Sequence, residues 1–217
     1  MFNDRSSAGR QLAEALRAKG WPAPVVLALP RGGVPVGAEI ADALGAPLDV
    51  LMVRKLGAPG RPELAMGAVA KTGESTQTVL NDEVVALLRV GRDEIEQTKQ
   101  RELDVIAERE RRYNGGRTRP GLKGRTAIVV DDGIATGATM RAALRAVRQA
   151  DPDRVVLAVP VAPPDAVRAL SAEADEVVCL QQPWDLGAIG MYYRDFRQID
   201  DSEVIDALAR RSPGGAA

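Results

Sequence analysis

Short apolar runs recur along the chain, separated by stretches with helical spacing. Val25–Leu29 (VVLAL) is continuously apolar and stops at Pro30, which predicts a buried strand. Val36–Leu44 puts Ile40, Ala41 and Leu44 on one helical face, and Leu48–Val53 (LDVLMV) reads as a second strand. Leu64–Ala70 and Thr76–Leu80 suggest two further strands, joined as a hairpin across Lys71-Thr72-Gly73-Glu74. Asn81 or Asp82 can cap a helix through about Val90. Asp93–Tyr113 is helical and densely charged, with Ile95, Leu103 and Ile106 as apolar positions. Its pairs Glu96/Gln100 and Glu108/Arg112 lie four apart, as on a largely solvated helix or insertion. Asn114–Gly124 reads as a loop, Arg125–Val130 as a buried strand and Ala138–Ala150 as a helix. Arg154–Val159 and Glu176–Leu180 are strands around a helix at Pro164–Ala172, which can carry proline in its first turn. Pro183–Phe196 is irregular, Asp201–Arg211 is a last helix, and Ser212–Ala217 is a frayed tail.

Short, nearly continuous apolar strands alternating with helices imply an α/β fold, a mainly parallel sheet covered on both faces. In such sheets ligands sit at the carboxyl ends of the strands. The loops to inspect are therefore those after Leu29, Val53 and Val130.

Composition narrows the chemistry. A chain of 217 residues with 45% hydrophobic content predicts one sizeable core and one domain. Histidine is absent, which removes Ser-His-Asp and Cys-His catalysis and the commonest zinc ligand. Cys179 is the sole cysteine, so no internal disulfide can form, and its apolar run predicts a buried structural thiol. Net charge is −1, without the basic excess of a nucleic-acid binder. No apolar stretch is long enough to span a bilayer and the N-terminus lacks a signal-peptide core, so a soluble cytoplasmic protein is expected.

The chemistry gathers after the strand Arg125–Val130. Two carboxylates, Asp131 and Asp132, come first, and then Gly133-Ile134-Ala135-Thr136-Gly137-Ala138-Thr139 leads into a helix. The glycines permit close approach to a ligand. Amides from about Ala135 to Thr139 can converge on a phosphate at the helix N-terminus, and Thr136 and Thr139 can add hydroxyl donors. The aspartates would repel that phosphate, so they suit a diol or a hydrated divalent cation. A hydroxylated middle with a phosphate end is ribose 5-phosphate. The segment is neither a Walker A loop nor a dinucleotide fingerprint.

The segment VVDDGIATGAT, Val129–Thr139, resembles the motif of type I phosphoribosyltransferases that binds 5-phosphoribosyl-1-pyrophosphate (PRPP). With LPRGGVPVG and DVLMVRKLG, nearly the whole chain looks like the uncharacterised bacterial branch of predicted phosphoribosyltransferases. The resemblance implies a single domain over residues 1–217. Its core would run over about 20–182, with a small hood from N-terminal residues and about 183–200, and a helical insertion at about 82–113. It implies that Asp131 and Asp132 hold the ribose hydroxyls, with Mg²⁺ held indirectly, that Ala135–Thr139 holds the 5-phosphate, and that Gly133 belongs to the same PRPP-binding set. It places a pyrophosphate loop at Arg31, Gly32 and Gly33, with a cis peptide at Arg31-Gly32. Arg54 and Lys55 would meet departing pyrophosphate, and Lys55–Pro62 would be a mobile closing loop, with Arg61 and the adjoining Glu63 as its candidate residues. Lys55, Asp131 and Asp132 are the candidate catalytic residues.

The 6-oxopurine enzymes of the family carry an aspartate where this chain has Ala135, which argues against an oxopurine acceptor. The acceptor would lie against Ile134, Trp184 and Tyr192, Trp184 being equally readable as packing and Phe196 reading as packing. The expected ligands are PRPP, pyrophosphate and an unidentified small-molecule acceptor; a homodimer is compatible with the family, and a membrane is not expected. Two other functions fit the motif: a PRPP-binding regulator and a phosphoribosyl hydrolase. A nucleic-acid face would have to use Arg109, Arg111, Arg112, Arg117, Arg119, Lys123 and Arg125, which Glu102, Glu108 and Glu110 dilute.

Overall fold

Every residue of the apolar run Thr126–Val130 is buried, because it forms the middle strand of a parallel sheet. The computed structural model describes residues 1–72, 75–114 and 117–211. In chain order the elements are α1 (Arg5–Arg17), β1 (Pro24–Ala28), α2 (Gly33–Leu44), β2 (Leu48–Val50), β3 (Met52–Ala58), β4 (Arg61–Thr72) and β5 (Ser75–Leu80). They continue with α3 (Asp82–Leu88), α4 (Arg92–Asn114), β6 (Thr126–Val130), α5 (Ala138–Arg148), β7 (Arg154–Val161), α6 (Pro164–Leu170), β8 (Glu176–Gln181) and α7 (Asp201–Ala209). The expected turn at Gly73-Glu74, part of the loop Asn114–Gly124 and the tail Ser212–Ala217 lie outside the described residues.

Five strands, in the order β2-β1-β6-β7-β8, pair in parallel throughout. Successive strand residues point to opposite faces. Val26, Ala28, Ile128, Val130, Val156 and Ala158 pack on one side with Leu12, Leu16 and Ile40 of α1 and α2. Val25, Leu27, Ala127, Val129, Val155 and Leu157 pack on the other with Leu144, Val147 and Leu170 of α5 and α6. Covering both faces is what makes these strands read as unbroken apolar runs.

The remaining strands depart from the sequence reading. The run Leu48–Val53 is not one strand. The Leu51 amide bonds back to Ala28 O at 3.0 Å, ending β2, while Met52 pairs with Lys71 and opens a separate antiparallel sheet, β3-β4-β5. Lys55–Pro62, expected as a mobile loop, is instead the tip of the β3-β4 hairpin, with register shifts around Gly57. A glycine is required there, since a Cβ on Gly57 would stand 2.6 Å from Pro62 O. Helix α4 packs against β3, and α5 against β4 and β5. Although mostly solvated, α4 buries Ile95, Thr98, Ile106, Glu110 and Tyr113.

Helix α1 has no counterpart among the predicted elements. Asp4 caps it: the Ser7 amide donates to Asp4 Oδ1 at 2.6 Å and the Asp4 amide to Ser7 Oγ at 3.0 Å, a reciprocal capping box. Ala8, Leu12, Ala13 and Leu16 supply its buried stripe. Cys179 is only half-buried, on the outer strand β8, where burial pushes its thiol pKa up.

Candidate functional site

The end of β6 and the end of β1 are locked side by side, since the Leu29 amide donates to Val130 O at 2.9 Å. Both loops that follow therefore occupy one edge. A cis peptide joins Pro30 to Arg31, one bond before the expected Arg31-Gly32. Gly33 then opens α2, with its amide donating to Leu29 O at 3.0 Å. No side chain fits at either glycine. A Cβ on Gly33 would sit 2.7 Å from Val130 O, and one on Gly32 would sit 2.0 Å from Asp132 Oδ2. Gly32 has an ordinary helical φ of −61°, so the demand there is for space alone.

Asp131 and Asp132 diverge. The Asp132 amide donates to Asp131 Oδ1 at 2.8 Å. Asp131 lines a cavity of about 220 Å³ together with Gly133, Ile134, Ala135, Thr136, Gly137, Thr139 and Met140. Asp132 does not line it; its Oδ2 accepts from Arg5 Nε at 2.7 Å. Burial, and then the charge of Asp132, push the Asp131 carboxyl well above the usual range, while the Asp132 amide works against this. Burial also raises Asp132, against the hydrogen bond and charge of Arg5.

The loop 133–139 is anchored at its start and open at its end. The Ile134 amide donates to Val161 O at 2.9 Å, and Gly133 is pressed against Ile189, whose Cγ2 a Cβ would meet at 2.6 Å. Gly137, at φ +78°, turns the chain into α5. No side chain caps that helix, so its first amides are unclaimed by a side-chain cap. Ala135, Thr136, Ala138 and Thr139 are exposed, and Ile134 is buried.

The structure does not bring the basic residues to this cavity. Arg54 Nε is held by Glu102 of α4 at 2.7 Å. Lys55 Nζ lies 3.4 Å from Glu63 O and 3.6 Å from its carboxylate. Both line a separate cavity of about 720 Å³ under the β3-β4 hairpin. Arg31 stands 4.0 Å from Asp201, which also accepts from Tyr113 and Arg112.

The segment Pro183–Phe196 splits in use. Trp184 is 81% exposed and is not among the residues that line the cavity. The Tyr192 hydroxyl donates to Asp185 O at 3.4 Å, and Phe196 stacks on Tyr193 at 5.1 Å. Several arginines expected on a basic face are engaged internally: Arg117 and Arg119 with Asp49, Arg119 also with Glu110, Arg112 with Asp201, and Arg125 with the Ala23 and Pro24 carbonyls.

Two site residues escaped the sequence reading. Arg5 reaches Asp132 across 127 positions, and the Tyr193 hydroxyl donates to the Asp132 carbonyl at 2.5 Å across 61. The capping box at Asp4 could have revealed α1, but nothing local marks Arg5 as a partner of Asp132.

Among the described residues no helix is long and apolar enough to cross a membrane. No group of three or more carboxylate or thiol side chains among them could hold a metal ion by itself. Residues 4–195 match the family model described as a phosphoribosyl transferase domain. Two Mycobacterium tuberculosis proteins, from strains CDC 1551 and H37Rv and each named "Putative phosphoribosyl transferase", are 49% identical over 210 residues, covering 97% of this chain and 47% of theirs. The chain thus spans about half the length of these curated relatives. The crystal structure of TT1426 from Thermus thermophilus is 49% identical and superposes with a TM-score of 0.84, over 98% of this chain and 99% of that one.

Proposed function

Because the chain belongs to the phosphoribosyl transferase domain family, we propose that it transfers the 5-phosphoribosyl group of PRPP to a nitrogen acceptor, with Mg²⁺, and releases pyrophosphate. One observation carries this reading. Asp131 and residues at the start of α5, which no side chain caps, line one cavity of about 220 Å³, so a carboxylate and a helix N-terminus of the kind that suits phosphate share it.

In the reaction the C1–O bond of PRPP breaks and its electron pair leaves with pyrophosphate. The acceptor nitrogen forms the new bond to C1 and gives up a proton. The amides of Ala135–Thr139 and the hydroxyls of Thr136 and Thr139 hold the 5-phosphate. Asp131 accepts from a ribose hydroxyl and faces the positive charge that develops at C1. Arg31, Arg54 and Lys55 are the cations available to pyrophosphate; Arg54 must first leave Glu102. A lone cavity carboxylate fits a Mg²⁺ ion that keeps its waters and takes most ligands from PRPP itself. Bound there, the ion would supply positive charge to the pyrophosphate, and Asp131 would be the residue that holds its water shell. Ala135 offers no carboxylate to a 6-oxopurine, so the acceptor is better sought among other nitrogen heterocycles and amides.

A PRPP binder without transfer is the second reading. It is favoured by Arg54 and Lys55, which line a cavity that contains neither aspartate. Pyrophosphate release from PRPP and Mg²⁺, followed across a panel of bases and amides, separates the two. Transfer predicts that one acceptor raises release well above background. Tight PRPP binding with release flat across the panel would leave the binder.

A further inference from the structure

Two large apolar side chains stand exposed near the start of α5. Leu64 and Leu80, on β4 and β5, are each 37% exposed. With Val79 and Val84 they line a cavity of about 670 Å³ between the hairpin sheet and α5. Small residues make its room: Ala65, Gly67 and Ala68 on β4 and Ala138 on α5 line it too. Gly67 has to be small, since a Cβ there would stand 2.4 Å from Val79 O. The volume falls within the range of about 300–1,000 Å³ usual for small-molecule sites.

One charged group in this cavity lacks a partner. Arg141 of α5 lines it, and the Arg141 Nε is buried with no hydrogen-bond partner among the described residues. Buried donors are rarely left so. Glu173 does not serve, because Arg145 holds it through Nε at 2.9 Å and Nη2 at 2.5 Å. Asp82 and Glu83, in the first turn of α3, line the same cavity, yet neither bonds the Arg141 Nε. Thr136 lines both this cavity and the one lined by Asp131, so the two have a wall in common.

We propose that the cavity between the hairpin sheet and α5 is a second ligand site, for a molecule with an apolar body and a single carboxylate, and that filling it weakens phosphate binding in the neighbouring loop. The carboxylate pairs with Arg141, whose planar fork of donors suits it. The apolar body covers Leu64, Val79, Leu80 and Val84. Asp82 and Glu83 repel a ligand with several negative charges, which disfavours nucleotides and PRPP itself. Anions on the two sides of Thr136 repel each other, and neutralising Arg141 removes positive charge from the start of α5. The coupling rests on the reading of residues 133–139 as a phosphate loop; the second site does not.

Calorimetric titration of 2-naphthoate and octanoate tests the site, with 2-naphthamide and ATP as neutral and polyanionic controls. It is run on the wild type, Arg141→Met, Arg141→Lys and Ala65→Phe. At least one acid should bind: naphthoate alone marks an aromatic acid, octanoate alone a fatty acid. The amide and ATP should bind at least about tenfold more weakly than that acid, and Arg141→Met should lose about tenfold for it, as loss of a charge-assisted hydrogen bond implies. Arg141→Lys should recover part of that loss, and Ala65→Phe, which fills the cavity, should abolish binding. Should Ala65→Phe fail to fold, Leu80→Gln replaces it and should weaken binding. No binding of either acid, equal affinity for the amide, or undiminished binding by Arg141→Met would overturn the site. A dimer in sedimentation that Ala65→Phe dissociates, without acid binding, would overturn it in favour of a second copy of the chain. Saturating acid should weaken inorganic phosphate binding by about fivefold or more, and phosphate should weaken the acid by the same factor. Two ligands that bind without affecting each other would overturn the coupling. Acid binding with no phosphate binding would overturn the phosphate-loop reading and the coupling, and would support the second site.

Discussion

At the scale of single residues, the site depends on atoms that are missing as much as on those present. Gly32 is needed because Asp132 occupies the space a methyl group would take. Gly32→Ala must push Asp132 off Arg5 or shift the loop, and overpacking of this kind costs about 1–3 kcal/mol. The expected outcome is a melting temperature lower by several degrees and weaker PRPP binding, read by differential scanning calorimetry and titration. Both the motif and its glycines were visible in the sequence, because a phosphate loop is a local device of consecutive residues. Arg5 was not visible, since its role exists only where α1 meets the end of β6. The cis peptide, expected at Arg31-Gly32, falls one bond earlier, at Pro30-Arg31.

At the scale of elements, helix ends carry testable energetics. Removing the α1 cap with Asp4→Ala should cost about 1 kcal/mol of stability, seen as a lower midpoint in urea unfolding. At α7 the Asp200 amide donates to Glu203 Oε1 at 3.0 Å, and Arg197 binds both Glu203 oxygens. The Arg197 hydrogen bond, and next that amide, draw the Glu203 pKa from 4.5 down to about 2. A depressed folded pKa stabilises fully above the unfolded value and is lost as pH falls through the folded one. Thermal melts should therefore show an acid-linked loss between about pH 4.5 and about pH 2 that shrinks in Glu203→Gln. An undiminished loss in that variant would assign it to other carboxylates. The pattern of apolar runs located β1, β6 and β7, whose burial on both faces leaves a continuous signal, and also the half-buried edge strand β8. It failed at Leu48–Val53, where one apolar run serves two sheets, and at α1, where small residues and arginines blur the helical stripe.

At the scale of the whole molecule, stability rests on the double-faced packing of the parallel sheet. Ile128 is fully buried on the middle strand, so Ile128→Ala should destabilise by about 2–5 kcal/mol, measured by denaturant unfolding. A second prediction concerns how the hairpin sheet meets the site. Glu102→Gln releases Arg54 from its ion pair and should tighten pyrophosphate binding if Arg54 serves that anion. Unchanged affinity would remove Arg54 from the anion-binding set.

The sequence by itself determined the class of fold and marked out the loop proposed to hold phosphate. Both are written in short-range order: runs of apolar residues that suit a doubly covered strand, and a run of small residues that leaves no room for side chains after the strand. Tertiary structure alone decided which aspartate faces the cavity, where Arg54 and Lys55 point, and that the segment after Lys55 is a paired hairpin. Those outcomes depend on contacts between residues tens to more than a hundred positions apart, Arg5 with Asp132 and Arg54 with Glu102 among them. No local pattern encodes such a contact, because it forms only after the helices have packed and the two loops share one edge.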